Sequence, residues 1–294
     1  MTRTIMFGCH KGGVGKSGGV VQTAAALARR GLNVLVVDMD SQANASRMLG
    51  AAWDAAEPTA TVSEAIVANQ KGSAEGAVVP CGWVDEAGEP TAEASRIDVV
   101  PSRFDLGNRE NEAGQVGAVR RLRKALDGWT TAYDFVLIDT PPSLGHLVQM
   151  SMAAADAVVI VSQPEYSSAE AAIRTADFVS QHAEDLGNPG LHVAGILVNM
   201  YRGTAEHESQ LEGFKERFGP LLWDLRTTEE IPGFGDRELS PSFVPLWSIF
   251  SDADSYAASL SDVPPARKKK QAIALYDTVA HRLVDHFHGQ EATA

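Results

Sequence analysis

The stretch Cys9–Gly19 reads "CHKGGVGKSGG", and its two flanks decide how it folds. Before it lies "TIMF" (Thr4–Phe7), apolar, β-branched and too short for a helix. After it, "VVQTAAALARRG" (Val20–Gly31) has helix length and closes on Arg-Arg-Gly, a common way to end one. Strand, glycine-rich turn and helix, in that order, form the context in which G-x-x-x-x-G-K-[ST] works as a phosphate-binding loop. Gly12, Gly13 and Gly15 allow backbone N–H groups, that of Val14 among them, to turn inward around phosphate oxygens without Cβ clashes. The helix N-terminus adds a favourable dipole. Lys16 is spaced to reach β- and γ-phosphates, and Ser17 Oγ to ligate Mg²⁺. Two features depart from the pattern: His10 stands where a first glycine is expected, and Lys11 is a second lysine.

Working outward, further short and almost wholly apolar runs appear: "NVLVVD" (Asn33–Asp38), "IDVVP" (Ile97–Pro101), "FVLID" (Phe135–Asp139), "AVVIVS" (Ala157–Ser162) and "VAGILVN" (Val193–Asn199). Continuous rather than alternating apolarity indicates strands covered on both faces. Helix-length stretches separate several of them, including Val116–Trp129 and Ser167–Gly187. The expected fold is α/β: one domain over residues 1–294, a mainly parallel twisted sheet covered by helices on both faces, of the P-loop NTPase kind. Such sheets bind ligands at the carboxyl ends of their strands, where Asp38, Asp139 and Asn199 would gather. Asp139, the first polar residue after four apolar ones, is the expected Mg²⁺ carboxylate. Asp38 and Asp40, two apart on an extended chain, would project to one side. One would brace the metal site and the other orient an attacking water.

Two regions read as irregular. Residues 69–96, rich in Gly, Pro and small or acidic residues, read as an insertion or hairpin with a mobile tip. Residues 227–266, punctuated by Pro232, Pro241, Pro245, Pro264 and Pro265, read as an irregular segment over the sheet edge. In "QAIALYDTVAHRLVDHF" (Gln271–Phe287), Ile273, Tyr276, Val279, Leu283 and Phe287 fall at helical spacing, predicting a helix docked on the core. Residues 288–294 read as a flexible tail.

Composition narrows the function classes. The chain has 294 residues, 44% of them hydrophobic and 21% charged, an ordinary globular balance. A net charge of -13 excludes bulk attraction to nucleic acid or anionic lipid, so any such binding needs a local basic patch. With two cysteines, Cys9 and Cys81, neither a disulfide framework nor a metal site is indicated. The N-terminus runs straight into the motif with no leader, and no apolar run approaches the roughly 18 residues of a membrane span. The expected location is cytoplasmic.

"KGGVGKS", "VLVVDMDSQANAS", "YDFVLIDTPPSLG" and "AAADAVVIVSQPEYSSAEA" occur in this order. Together they resemble the ParA/Soj branch of the ParA–MinD family of partition and positioning ATPases, whose phosphate loop is a variant carrying the extra lysine. "RIDVVPSRFDL" (Arg96–Leu106) is similar to that family's middle strand and turn. The resemblance covers roughly Thr4–Asn199. It implies ATP and Mg²⁺ as ligands and a nucleotide-sandwich dimer. In that dimer Lys11 would reach the partner's phosphates, Asp40 would position the attacking water with Asp38 beside it, and Asp139 would serve Mg²⁺. Asn199 would contact adenine, as would Pro232. Gly18 departs from the family pattern, standing where a second hydroxyl residue is usual.

For the biological role the resemblance implies a slow, partner-stimulated ATP hydrolase, a homodimer with ATP, that positions DNA or other cargo. Its ATP dimer would bind DNA without sequence preference, and its partner would be a ParB-like centromere- or cargo-binding protein. Candidate DNA contacts are Arg267, Lys268, Lys269 and Lys270, with Arg202 and Arg237 contributing. "RRLRK" (Arg120–Lys124) reads instead as a solvent-facing helix end. The alternative is a MinD-like positioning ATPase on a membrane or scaffold without DNA binding. No membrane contact is expected, because the C-terminal residues lack a basic amphipathic helix. An iron–sulfur relative is excluded by the placement of the two cysteines.

Overall fold

The strands assemble around the first of them. In the computed structural model, which describes residues 1–51, 60–226, 242–265 and 267–291, β1 (Arg3–Gly8) lies near the middle of a seven-stranded sheet. The others are β2 (Val34–Asp38), β3 (Val79–Pro80), β4 (Ile97–Val100), β5 (Phe135–Asp139), β6 (Ala157–Ser162) and β7 (His192–Val198), in the order β3-β4-β2-β5-β1-β6-β7. All pairings are parallel except that of β3, a two-residue edge strand antiparallel to β4. Pro80 is tolerated there because an edge strand leaves one side without ladder bonds.

β2, β5 and β6 are buried at every residue, which is why their sequences are continuously apolar. Side chains alternate between two cores. Ile5 and Phe7 join one, beneath α1 (Lys16–Arg29), α2 (Asn44–Met48), α8 (Ser248–Tyr256) and α9 (Lys269–Glu291). Met6 joins the other, beneath α3 (Val62–Ala68), α4 (Arg121–Leu126), α5 (His146–Ala154), α6 (Tyr166–His182) and α7 (Ala205–Phe218). The chain is a single α/β domain with helices on both faces, as its sequence predicts.

The differences have local causes. The helix expected over Val116–Trp129 shrinks to α4 with a short 3₁₀ turn before it, because Gly117 takes a left-handed φ of 76° and Gly128 one of 97°. α8 interrupts the segment read as irregular; its buried Ile249 and Ala253 are four residues apart on one face. The insertion is anchored rather than loose. Trp83 Nε1 donates to the Met48 carbonyl at 2.8 Å and Cys81 Sγ to that of Leu49 at 3.4 Å, capping the end of α2. Its tip, a hairpin closed by Asp85 N–H donating to the Glu89 carbonyl, is exposed from Val84 to Pro90. A Cβ on Gly82 would lie 2.1 Å from the Gly50 carbonyl oxygen, so glycine is required at that crossing. Ile273 is only partly buried, but Tyr276, Val279, Leu283 and Phe287 of α9 are fully in the core; the backbone of α9 runs on to Glu291, and residues 292–294 of the expected tail lie outside the described residues.

Candidate nucleotide site

Register places the chemistry. Phe7 of β1 pairs with Asp139 of β5, and Asp139 pairs with Asp38 of β2, so both carboxylates end adjacent strands where the loop after β1 leaves the sheet. That loop turns through Gly13 (φ 76°) and Gly15 (φ 83°) into α1. Asn199, following β7, donates from Nδ2 to the Val14 carbonyl at 3.0 Å, and Gln163 donates to the Gly13 carbonyl at 2.9 Å. The Gly13 and Val14 carbonyls are thus engaged by side chains that follow β6 and β7, which leaves the N–H groups of the turn available to phosphate oxygens.

Lys16 is 7% exposed and donates to the Lys11 carbonyl at 3.1 Å, while the Ser17 hydroxyl lies beside Asp139. Asp139 is fully buried, and its Oδ2 has no hydrogen-bond partner among the described residues. Burial, and after it the negative charge of Asp38, pushes its carboxyl well above the usual carboxylate range. Burial likewise pulls Lys16 down, against the attraction of Asp139. An unpaired buried acceptor beside a serine hydroxyl and a phosphate loop is a fit for hydrated Mg²⁺, which keeps several waters and needs only one or two protein ligands besides phosphate oxygens. Among the described residues no group of three or more His, Cys, Asp or Glu forms a metal cage of its own.

The two switch acids separate in role. Asp38 is fully buried and does not line the cavity. Its carboxylate accepts from the backbone N–H groups of Asp40 (3.0 Å) and Ser46 (2.8 Å) and from Ser46 Oγ (2.7 Å). Burial pushes it up to about 6. Asp38 therefore holds the turn and the start of α2 in place. β2 ends at Asp38, so Asp40 lies in the turn beyond it and faces the cavity, accepting from Gln42 N–H at 2.9 Å.

The cavity, about 460 Å³, is lined by Gly12, Gly13, Gly15, Lys16, Ser17 and Gly18 on the loop side and by Asp40 and Asn199 beside it. Its far wall belongs to the segment that sequence reasoning left irregular: Pro245, Leu246, Trp247, and Phe250, Ser251 and Asp254 of α8. Trp247 and Phe250 stack with centroids 6.3 Å apart and planes 3° from parallel. The spacing of Ile249 and Ala253 was the signal that could have found α8.

Lys11 does not line this cavity; its Nζ donates to Ser167 Oγ at 2.8 Å, at the start of α6. The basic run splits: Arg267 and Lys270 are exposed, Lys268 Nζ sits 4.7 Å over the Trp247 ring, and Lys269 donates to the Val263 carbonyl at 2.7 Å. Arg202 is exposed in the loop after β7. Pro232 and Arg237 lie outside the described residues. The Arg120–Lys124 cluster is engaged, Arg121 with Glu112 and Arg123 with the Gly187 carbonyl. Both thiols are buried and held protonated, Cys9 pushed up by burial to about 11 and Cys81 to about 12, the opposite of cluster ligands.

Residues 2–192 match the AAA domain family AAA_31. The chain is 35% identical over 243 residues to the chromosome partitioning protein ParA of Myxococcus xanthus, covering 79% of each. It belongs to the ParA–MinD family of ATPases. Solved structures of similar fold include apo McdA from Cyanothece, with a TM-score of 0.75 at 18% identity, covering 96% of this ParA–MinD chain and 100% of that one. Another is the cobyrinic acid a,c-diamide synthase of Mycobacterium smegmatis with bound ADP and magnesium, with a TM-score of 0.70 at 25% identity, covering 98% and 96%. Among the described residues of this ParA–MinD ATPase, no helix is long and apolar enough to cross a membrane.

Proposed function

We propose that this chain is an ATP-dependent dimerising switch that hydrolyses ATP slowly and positions DNA or other cargo in the cytoplasm, in association with the nucleoid. The reading rests on one observation above all: Asp139 Oδ2, buried and without a hydrogen-bond partner among the described residues, beside Ser17 and Lys16 of the glycine-rich loop. ATP and Mg²⁺ are the ligands of that site, with Ser17 and Asp139 holding the metal and the Gly12–Gly18 backbone holding phosphates. When bound, Mg²⁺ would supply neutralisation of phosphate charge. Lys16 adds a fixed positive charge where negative charge develops, and Asp40 orients the attacking water.

Lys11 is the trans element of the reading. Leaving Ser167, its Nζ would reach the partner's phosphates and make the dimer a product of ATP binding. Lys11→Ala retains ATP binding, loses the ATP-dependent dimer, and lowers turnover by roughly a thousandfold or more, on the scale of an arginine finger. Unchanged turnover, measured by phosphate release, removes that role.

The DNA surface would be built from Arg267 and Lys270, with Arg202 and a share of Lys268 and Lys269, doubled by dimerisation. A ParB-like partner would stimulate hydrolysis. The test is binding to unrelated duplex DNA with ATP and with ADP across a salt series. The expected result is binding with ATP only, falling steeply as salt rises, and lost in the Arg267→Glu, Lys270→Glu double variant while ATPase activity persists. The engagement of Lys268 and Lys269 within the chain favours a second reading, a scaffold-bound positioning ATPase. Absence of DNA binding with ATP dimerisation intact would select it.

A further inference from the structure

We infer that Asp254 of α8 is the residue that reads the nucleotide's ribose, accepting hydrogen bonds from its hydroxyls; the inference rests on the nucleotide reading of the cavity. Asp254 lies across the cavity from the first turn of α1. A Cβ built on Gly18 would sit 3.7 Å from its Oδ1 and 3.8 Å from its Oδ2. Gly18 therefore leaves open the space in front of this carboxylate that a larger side chain would fill.

Two of the polar side chains near it have internal partners. Gln22 Oε1 accepts from Leu260 N–H at 3.2 Å, and Ser251 Oγ donates to the Ser248 carbonyl at 2.8 Å. The Asp254 carboxylate accepts no hydrogen bond among the described residues. Among the described residues Arg47 of α2 is the one charge that steadies it, through a guanidinium bonded to the Asp254 backbone carbonyl at 3.3 Å rather than to the side chain. Burial pushes the carboxyl up to about 6, so it is ionised at neutral pH and short of donors. A half-buried carboxylate without donors is a cost to the free protein that a ligand can offset.

The chemistry of the ligand follows from charge and distance. Phosphates are themselves anionic, so the group facing Asp254 must be a donor. Along a nucleoside triphosphate whose phosphates occupy the loop, the sugar follows the α-phosphate directly and comes next past Gly18. An exocyclic amine lies farther out, toward Trp247 and Phe250. Two oxygens on one carboxylate match two hydroxyls on adjacent ring carbons, the pairing by which an acidic residue holds ribose in dinucleotide folds.

The test is equilibrium binding of the full chain to ATP, 2′-deoxy-ATP, 3′-deoxy-ATP and inosine triphosphate, with Mg²⁺, followed by calorimetry. The wild-type chain is expected to bind ATP at least roughly tenfold more tightly than one or both deoxy analogues, the loss expected when a charged acceptor is left without its donor. In Asp254→Asn and Asp254→Ala that preference falls to within about twofold, while inosine triphosphate is weakened equally in all three proteins. Acid acts in the same direction. Below about pH 6 the wild-type carboxyl is protonated and the deoxy discrimination declines. Arg47 of α2 and Tyr276 of α9 are the charged and titratable groups facing it. Discrimination unchanged in both variants overturns the assignment. So does a change confined to inosine triphosphate, which would make the base amine the donor. A wild-type chain that binds no nucleotide overturns the reading of the cavity itself, an outcome distinct from binding without ribose discrimination.

Discussion

Lys16→Ala is expected to lower ATP hydrolysis by at least about a hundredfold and to weaken ATP binding as well. The side chain is the one positive charge at the floor of the loop, 7% exposed and set against Asp139. Losing one preorganised donor where charge develops costs about 10²–10³ in rate, and here the same group binds the phosphates in the ground state. The variant should still fold, since Lys16 makes one hydrogen bond, to the Lys11 carbonyl, and caps no other element. Calorimetry with ATP and Mg²⁺, beside a melting curve, separates the two effects. Near-normal ATP affinity in a folded variant would mean that the phosphates do not sit on this loop.

Gly15→Ala has the second-largest expected effect, and it acts through a neighbour. At φ 83° an L-residue is strained by roughly 1–2 kcal/mol. The new Cβ would in addition lie 2.2 Å from Asn199 Nδ2. That amide can swing away, but only by giving up its bond to the Val14 carbonyl, and with it the brace of the loop. Stability should fall by about 1–3 kcal/mol, while ATP affinity falls by at least roughly tenfold. Gly13→Ala is the control: at φ 76°, with nothing within 4 Å of a Cβ, it carries backbone strain alone. Equal losses of affinity in the two variants would remove the Asn199 brace from the explanation.

Much of the fold can be read from the residues because the sheet is parallel and buried on both faces. β2, β5 and β6 have no solvent side to dilute their apolar runs, so their bounds in sequence and structure agree within a residue. The phosphate loop was equally legible, since its glycines answer to backbone geometry. Asp38 was not. Spacing alone put it beside Asp40 facing the ligand, whereas the turn beyond β2 rotates only Asp40 toward the cavity and leaves Asp38 to cap Ser46. The far wall was hidden for another reason. Prolines at 241, 245, 264 and 265 bracket α8 so closely that they masked its short amphipathic face, and the aromatic pair Trp247–Phe250 with it.

The strand order has a consequence for how the molecule comes into being. β1 leaves the ribosome first but touches neither β2, β3 nor β4; its only neighbours are β5 and β6. Phe7 must wait for Asp139, an interval of roughly 7–26 s at a synthesis rate of about 5–20 residues per second. The loop then still lacks Asn199, the residue that holds the Val14 carbonyl. During that interval β1 is an apolar strand with both edges unpaired, the kind of segment chaperones bind. The brace of the phosphate loop therefore cannot form until Asn199 has been made, and the pocket still waits for its far wall at residues 245–254; premature release before β7 would yield a fragment without the finished loop.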